Sequence, residues 1–313
     1  MPSWLARDEG ADSEIVLSSR VRLMRNLAGH RFPNAAATEE NLAVLAEVLS
    51  AAEGYEVFPS LTKVERDHYV GTRLLSPDFS WTQPGRAVLL DRDRSTAVLV
   101  NEEDHLRLQV VLSGSQWETA LRTADHAVAA IEARLPFAQT EKLGYLAASV
   151  YNCGSGRRIS AMLHLIGLVT SNRIAVVLPA LNSGRIVFRG LFGESSRAVG
   201  AFAQVSTIAG NADEFRGALL YLLAEEAQAR AEMSADALTE RCRSTLQSLQ
   251  STEMLSTADA VRSLGLLRWG VTAGVTPGLT LRQIDYALCV VEFRAGNDPR
   301  IRAENLRHDL NLA

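Results

Sequence analysis

Three cysteines in 313 residues are too few and too scattered for a disulfide framework, and their number is odd. Cys153, Cys242 and Cys289 also lack the paired spacing of a metal site, so no bound metal is expected from them. Such sparse cysteine suits a reducing cytoplasm. No apolar run approaches the roughly 18 residues that span a bilayer, so no membrane helix is expected. The first residues, Met1 to Glu9, lack the basic and apolar blocks of a signal peptide. Excess positive charge is missing too. A formal net charge of -4 gives no footing for nucleic-acid binding or a polybasic membrane contact. There is no Walker-type loop, no dinucleotide glycine fingerprint, no internal repeat and no low-complexity segment. What remains is 47% hydrophobic and 22% charged, an ordinary globular composition with length enough for two domains.

The strongest local pattern follows the apolar run Ala97 to Val100. Asn101-Glu102-Glu103-Asp104-His105 leads into an alternation in which Leu106, Leu108 and Val110 oppose Arg107 and Gln109. This pattern predicts a strand with one buried face. Read as one strand, it puts Glu103, His105 and Arg107 on the face opposite the leucines. Glu103 and Arg107 would then stand roughly 13 Å apart, too far for an ion pair. They could hold two ends of one ligand, or form a solvated face.

Residues 13 to 23 alternate in the same way. Ile15, Leu17, Val21 and Leu23 oppose Ser18, Arg20 and Arg22. Guanidinium forks bind phosphate oxygens bidentately, so this face suits a phosphate. It also suits a charged edge strand. After the glycine loop Asn152 to Arg158, Ile159, Ala161, Leu163 and Leu165 oppose Arg158, Ser160, Met162 and His164.

Other expectations are more ordinary. A helix runs from an N-cap at Thr38 to about Gly54, and strands cover 87–90, 174–179, 185–189 and 201–206. Asn182-Ser183-Gly184 is the turn between the second and third of these. Ser115-Gln116-Trp117-Glu118 reads as a capping box opening a helix to about Arg134, with His126 on its surface. From Asp213 the strand patterns vanish. Helices are predicted near 213–233, 235–250, 256–264 and 280–294, and Arg300, Arg302 and Arg307 give the last helix a solvated basic face. The fold class is α+β: an antiparallel sheet flanked by helices over residues 1–212, then a helical domain over 213–313.

Arg20 and Arg22, Arg107, Arg158 and Arg189 lie on polar faces of separate strands. Paired in one sheet, they would make a cationic floor that a nucleoside triphosphate with Mg2+ would satisfy.

Ser18-Ser19-Arg20-Val21-Arg22-Leu23, Val100 to Arg107, and Arg189-Gly190-Leu191-Phe192-Gly193-Glu194 resemble the ATP:guanido phosphotransferases, which include creatine and arginine kinases. Order, spacing and the helical tail are most similar to the bacterial protein-arginine kinase branch. The resemblance implies transfer of the ATP γ-phosphoryl group to a guanidino nitrogen. It implies that Ser18, Ser19, Arg20, Val21, Arg22, Arg107, Arg158, Ile159, Ser160, Ala161, Met162, Arg189, Gly190, Leu191, Phe192, Gly193 and Glu194 line the ATP site. Glu103 would be the base, and Glu194 the loop carboxylate facing the substrate. The branch further implies an acceptor protein with exposed arginine, a chaperone or protease system as partner, and a homodimer through the C-terminal helices.

Three positions and one stretch of the tail depart from the family. Ser149 stands where a reactive cysteine is usual, and a hydroxyl stays neutral near pH 7 where a thiol can ionise. Arg197 replaces a second loop acid. Arg73 replaces a histidine that touches the nucleotide in the bacterial branch. Asn297 to Ala303 match a tail signature, linked to phosphoarginine sensing, only in part. Two readings therefore stand: a kinase with altered acceptor choice, or an ATP-binding pseudokinase acting as adaptor or regulator.

Overall fold

The computed structural model describes residues 3–6, 10–79, 83–181, 185–190 and 199–312. Its ten described strands are β1 (Val16–Arg25), β2 (Glu56–Phe58), β3 (Ala87–Leu90), β4 (Thr96–Val100), β5 (Leu106–Ser113), β6 (Gln139–Thr140), β7 (Gly144–Tyr145), β8 (Arg157–His164), β9 (Ile186–Gly190) and β10 (Phe202–Thr207). Eight of them form one sheet in the order β2-β3-β4-β5-β1-β8-β10-β9, and β6 with β7 makes a small hairpin. Every pairing is antiparallel. The first helices are α1 (Ser3–Ala6), α2 (Thr38–Ala51), α3 (Lys63–Gly71), α4 (Trp117–Glu132), α5 (Ile166–Thr170) and α6 (Ile174–Ala180). They are followed by α7 (Ala212–Ala231), α8 (Ala235–Ser251), α9 (Thr257–Thr272), α10 (Leu281–Val290) and α11 (Pro299–Asp309).

Alternation along the strands sorts the sheet into two faces. Val21, Leu23, Val98, Leu108, Val110, Ile159, Ala161, Ala203 and Val205 turn to one side, under Val44 and Val48 of α2, Ala120 and Ala124 of α4, and Phe215 and Leu222 of α7. The opposite face is apolar only at its ends. Val88, Leu90, Ala97, Leu99 and Val111 meet Trp4, Val70, Leu74 and Cys289 at one end. Leu17, Met162 and Phe202 meet the tail helices at the other, through residues such as Val261, Leu264 and Leu288. Polar side chains occupy the stretch between.

Several expectations need correction. Strand β1 is no charged edge: it is paired on both sides, by β5 and β8, and a register shift between Val16 and Ser18 turns Leu17 toward the tail cluster. The apolar run at 174–179 is helix α6, and β9 pairs with β10 rather than with it. The N-cap of α2 is Ala37, and that of α4 is Gln116, whose side chain bonds Ser113 instead. No side-chain capping bond forms at either position, so the Ser115 box is not made. Helix α9 runs on to Thr272 through Gly265, where a Cβ would come within 2.4 Å of the Gly200 carbonyl oxygen. Helix α7, the first beyond residue 212, packs on the sheet. Arg302 and Arg307 do not form a solvated face. Arg302 donates to the carbonyls of Val291, Leu255 and Gly296, and Arg307 to those of Leu249 and Thr252.

Candidate active site

The polar stretch of the sheet is built by register. Arg22 lies directly opposite Arg158 on β8 and Gln109 on β5, and Arg107 lies opposite Met24, one step along the same face. Arg20 lies opposite Ser160, Arg189 opposite Gln204, and Gln204 opposite Met162. Directly opposed side chains in antiparallel strands are about 5 Å apart, so arginines from four strands share one floor. A further arginine joins from outside the sheet. Arg73, just past α3 with a left-handed backbone at φ 66, donates from Nη1 to Ser18 Oγ at 2.6 Å. The position that departed from the family pattern is thus part of the floor.

The electrostatics are unfavourable as they stand. Burial lowers the Arg20 guanidinium to about 9, helped by the charges of Arg107, Arg73, Arg158 and Arg189. Burial, with the charges of Arg20, Arg107, Arg158 and Arg189, holds Arg22 well below its ordinary value. Arg20 finds one partner, Gln204 Oε1 at 2.8 Å. Arg107 is paired with Glu102 at 2.6 Å. Arg22 is 9% exposed, yet its Nε and Nη2 have no hydrogen-bond partner among the described residues. Buried polar groups are nearly always paired, so such an orphan marks a place for an external acceptor. A phosphate fits it in charge, in oxygen acceptors and in bidentate geometry.

The carboxylates sit differently from the expectation of one continuous strand. Residues 101–105 form a loop between β4 and β5, and Glu103 and His105 are not on the strand face of Arg107. Asn101 takes the left-handed conformation at φ 53, which asparagine tolerates, and donates to the carbonyls of Asn41 and Gly85. His105 is buried. Its Nδ1 accepts the Leu27 amide at 3.0 Å, which leaves Nε2 to donate to the Arg31 carbonyl at 3.0 Å. Burial pushes this imidazole down to about 4, so it is neutral. Asp104 accepts from Asn26 Nδ2 at 2.6 Å and from the Ala148 amide at 2.7 Å, and burial raises its carboxyl. With Glu102 on Arg107, four side chains of the five are used to hold the loop. The fifth, Glu103, is exposed and makes no hydrogen bond to any described residue.

The bond from Ala148 to Asp104 also places Ser149. That bond holds the residue before Ser149 against the 101–105 loop that carries Glu103. Cys153 turns back into its own loop, against Ala147 and the Ser149 carbonyl, and does not stand in for the missing thiol.

The other expected residues divide by face. Ser18, Ser160, Arg158 and Arg189 accompany the floor, and Gly190 ends β9 beside it. The side chains of Val21, Ile159 and Ala161 lie in the core on the opposite face, so only their backbone supports the floor. Ser19 donates to the Gly114 carbonyl at 2.7 Å, and Met162 packs with the tail cluster. Leu191, Phe192, Gly193, Glu194 and Arg197 lie outside the described residues, as does the turn at 182–184. Two contributors went unread in the sequence. Gln204 could have been found, since Gln204 and Ser206 alternate with Ala203 and Val205. Asn26, which ties β1 to Asp104, His105 and Leu146, carries no pattern that would single it out.

Comparison with known proteins agrees with this geometry. The family model "ATP:guanido phosphotransferase, C-terminal catalytic domain" matches residues 37–210. A protein-arginine kinase of Pelotomaculum thermopropionicum is 33% identical over 303 residues, covering 90% of this chain and 85% of its own length. That of Moorella thermoacetica is 33% identical over 321 residues, covering 94% and 91%. In fold, the chain is similar to lombricine kinase, with a TM-score of 0.61 at 21% identity over 72% of this chain and 70% of that one. The duplicated taurocyamine kinase of Schistosoma mansoni gives 0.62 at 17% identity, over 92% of this chain and 48% of its own. A floor of arginines on an antiparallel sheet, with the exposed carboxylate of Glu103 on a braced loop, is thus accompanied by similarity along nearly the whole chain: the protein belongs to the ATP:guanido phosphotransferase family.

Proposed function

We propose that this chain transfers the γ-phosphoryl group of ATP to arginine side chains of proteins. The observation that carries the reading is the buried guanidinium of Arg22 within the arginine floor, whose Nε and Nη2 have no hydrogen-bond partner among the described residues. The nucleotide's phosphates lie among Arg20, Arg22, Arg107, Arg158 and Arg189, with Arg73 alongside. Mg2+ travels with the phosphates. No cluster of three His, Cys, Asp or Glu side chains stands ready for it among the described residues, and a phosphate-borne ion needs few protein ligands.

A guanidinium holds its proton too tightly to attack as it stands. Glu103, exposed on its fixed loop, takes the proton from the attacking nitrogen as the new P–N bond forms. The terminal P–O bond breaks and ADP leaves with the electron pair. The arginines stabilise the charge spread over the phosphate oxygens, which is most of what phosphoryl transfer asks of a protein. Ser149 offers the acceptor a hydrogen bond but no charge. By the family resemblance Glu194, outside the described residues, supplies a second carboxylate to the acceptor. The protein acceptor is favoured by the names of the similar bacterial proteins. We further propose, on the family resemblance alone, that the chain works in the cytoplasm, as a homodimer through its tail, with a chaperone or protease system.

ADP release tests the acceptor class. The chain is incubated with MgATP and either an unfolded protein or Nα-acetylarginine amide. Turnover that requires the protein supports the reading. Faster turnover of the small compound contradicts it. ATP binding with no ADP from either acceptor leaves the pseudokinase.

A further inference from the structure

The loop that carries Ser149 has an odd tip. Val150 is 79% exposed and Tyr151 is 69% exposed, side by side in a short 3-10 turn. The loop beneath them is well tied. Tyr145 and Gly154 exchange hydrogen bonds of 2.9 and 3.0 Å across its base, and Leu146 donates to the Ala138 carbonyl at 2.9 Å. Asn26 donates to the Leu146 carbonyl, and Asp104 accepts the Ala148 amide. A tip fixed in this way holds two large apolar side chains in water, where they contribute nothing to folding. Leu143, at the loop's base, is also exposed.

We infer that Val150 and Tyr151 form a docking ledge for apolar residues flanking the acceptor arginine in an extended, unfolded polypeptide. The inference rests on the proposed transfer to protein arginine. Its ground is continuity with the acceptor carboxylate. The Asp104–Ala148 hydrogen bond puts Glu103 and Ser149 on neighbouring segments, and the ledge begins at the next residue. Val150 and Tyr151 follow Ser149 directly, their Cα atoms no more than about 4 and 7 Å from its own, within side-chain reach of residues flanking an arginine whose guanidinium lies at Ser149. Apolar residues flanking an arginine are mostly buried in folded proteins and become available when the chain opens. The ledge would therefore select unfolded acceptors by what surrounds the arginine.

The test uses the full chain with fluorescent peptides carrying one arginine, flanked on both sides by leucine and phenylalanine or by serine. Anisotropy gives Kd, and phosphoarginine formation gives KM and kcat. The unsubstituted protein is expected to prefer the apolar peptide about tenfold in Kd and KM, equivalent to about 1.4 kcal/mol. The double variant Val150→Ser/Tyr151→Ser loses that preference, with its melting temperature and its constants for the serine peptide unchanged. Equal constants for the two peptides in the unsubstituted protein overturn the inference, as does a preference that survives in the variant. A change of oligomeric state in the variant, with the preference intact, also overturns it and makes the tip a self-association face. Binding preference without phosphoarginine keeps the ledge and sinks the kinase reading instead.

Discussion

Replacing Arg22 by methionine separates stability from binding. The side chain is buried and surrounded by Arg20, Arg107, Arg158 and Arg189, with two nitrogens unpaired among the described residues. Leaving buried donors unsatisfied costs about 1–3 kcal/mol, and an apolar side chain of similar length removes that cost. The nucleotide-free protein should therefore gain about 1–3 kcal/mol. At roughly 2 °C per kcal/mol for a chain of this size, its melting temperature rises by about 2–6 °C. Binding moves the other way. A charge-assisted contact to phosphate is worth about 1.5–3 kcal/mol, so Kd for MgATP rises about 10- to 150-fold. Thermal denaturation and calorimetric titration, each with and without MgATP, read the two effects. A variant that is less stable and binds MgATP as before would refute the reasoning and make Arg22 a structural residue.

Glu103→Gln should lower kcat by about 10²- to 10⁴-fold, the usual worth of a positioned base, with no change in melting temperature because the side chain is exposed. Asn26→Ala removes the brace on Asp104, His105 and Leu146. It should cost about 1–3 kcal/mol in denaturant titrations and lower kcat as well, by freeing the Glu103 loop. Ser149→Cys should raise kcat about tenfold in the ADP-release assay, by setting a thiolate beside the guanidinium. For Arg20 the folded value is near 9 against an ordinary 12.5, so between them the unfolded chain binds more protons than the folded one. That contribution makes the nucleotide-free protein more stable as pH rises from about 9. Comparing melting temperatures at pH 8 and 10.5 should show a smaller rise in Arg20→Met.

Much of the floor was legible because a strand writes its faces into alternate residues. Arg20, Arg22, Arg107 and Arg158 each alternate with aliphatic neighbours, and the sheet brings them together as that pattern implies. The loop at 101–105 was misread because its polar residues continue the alternation of β5. Only the partners of His105 and Asp104, far away in sequence, show that the chain leaves the strand there. The run Ile174 to Pro179 is too short and too uniformly apolar for periodicity to separate helix from strand, and tertiary packing decided it. Arg302 and Arg307 looked like surface charges on one helix, but they bond carbonyls on other segments, which one helix's own pattern cannot reveal.

The central claim is that the chemistry joins the arginine floor to Glu103. The most direct measurement is mass spectrometry of an unfolded acceptor protein after incubation with MgATP, under conditions that preserve acid-labile phosphoarginine. Phosphoarginine formed by the unsubstituted chain and lost in Glu103→Gln is the expected result. No phosphoarginine from a chain that still binds MgATP, or equal amounts from both proteins, would contradict it.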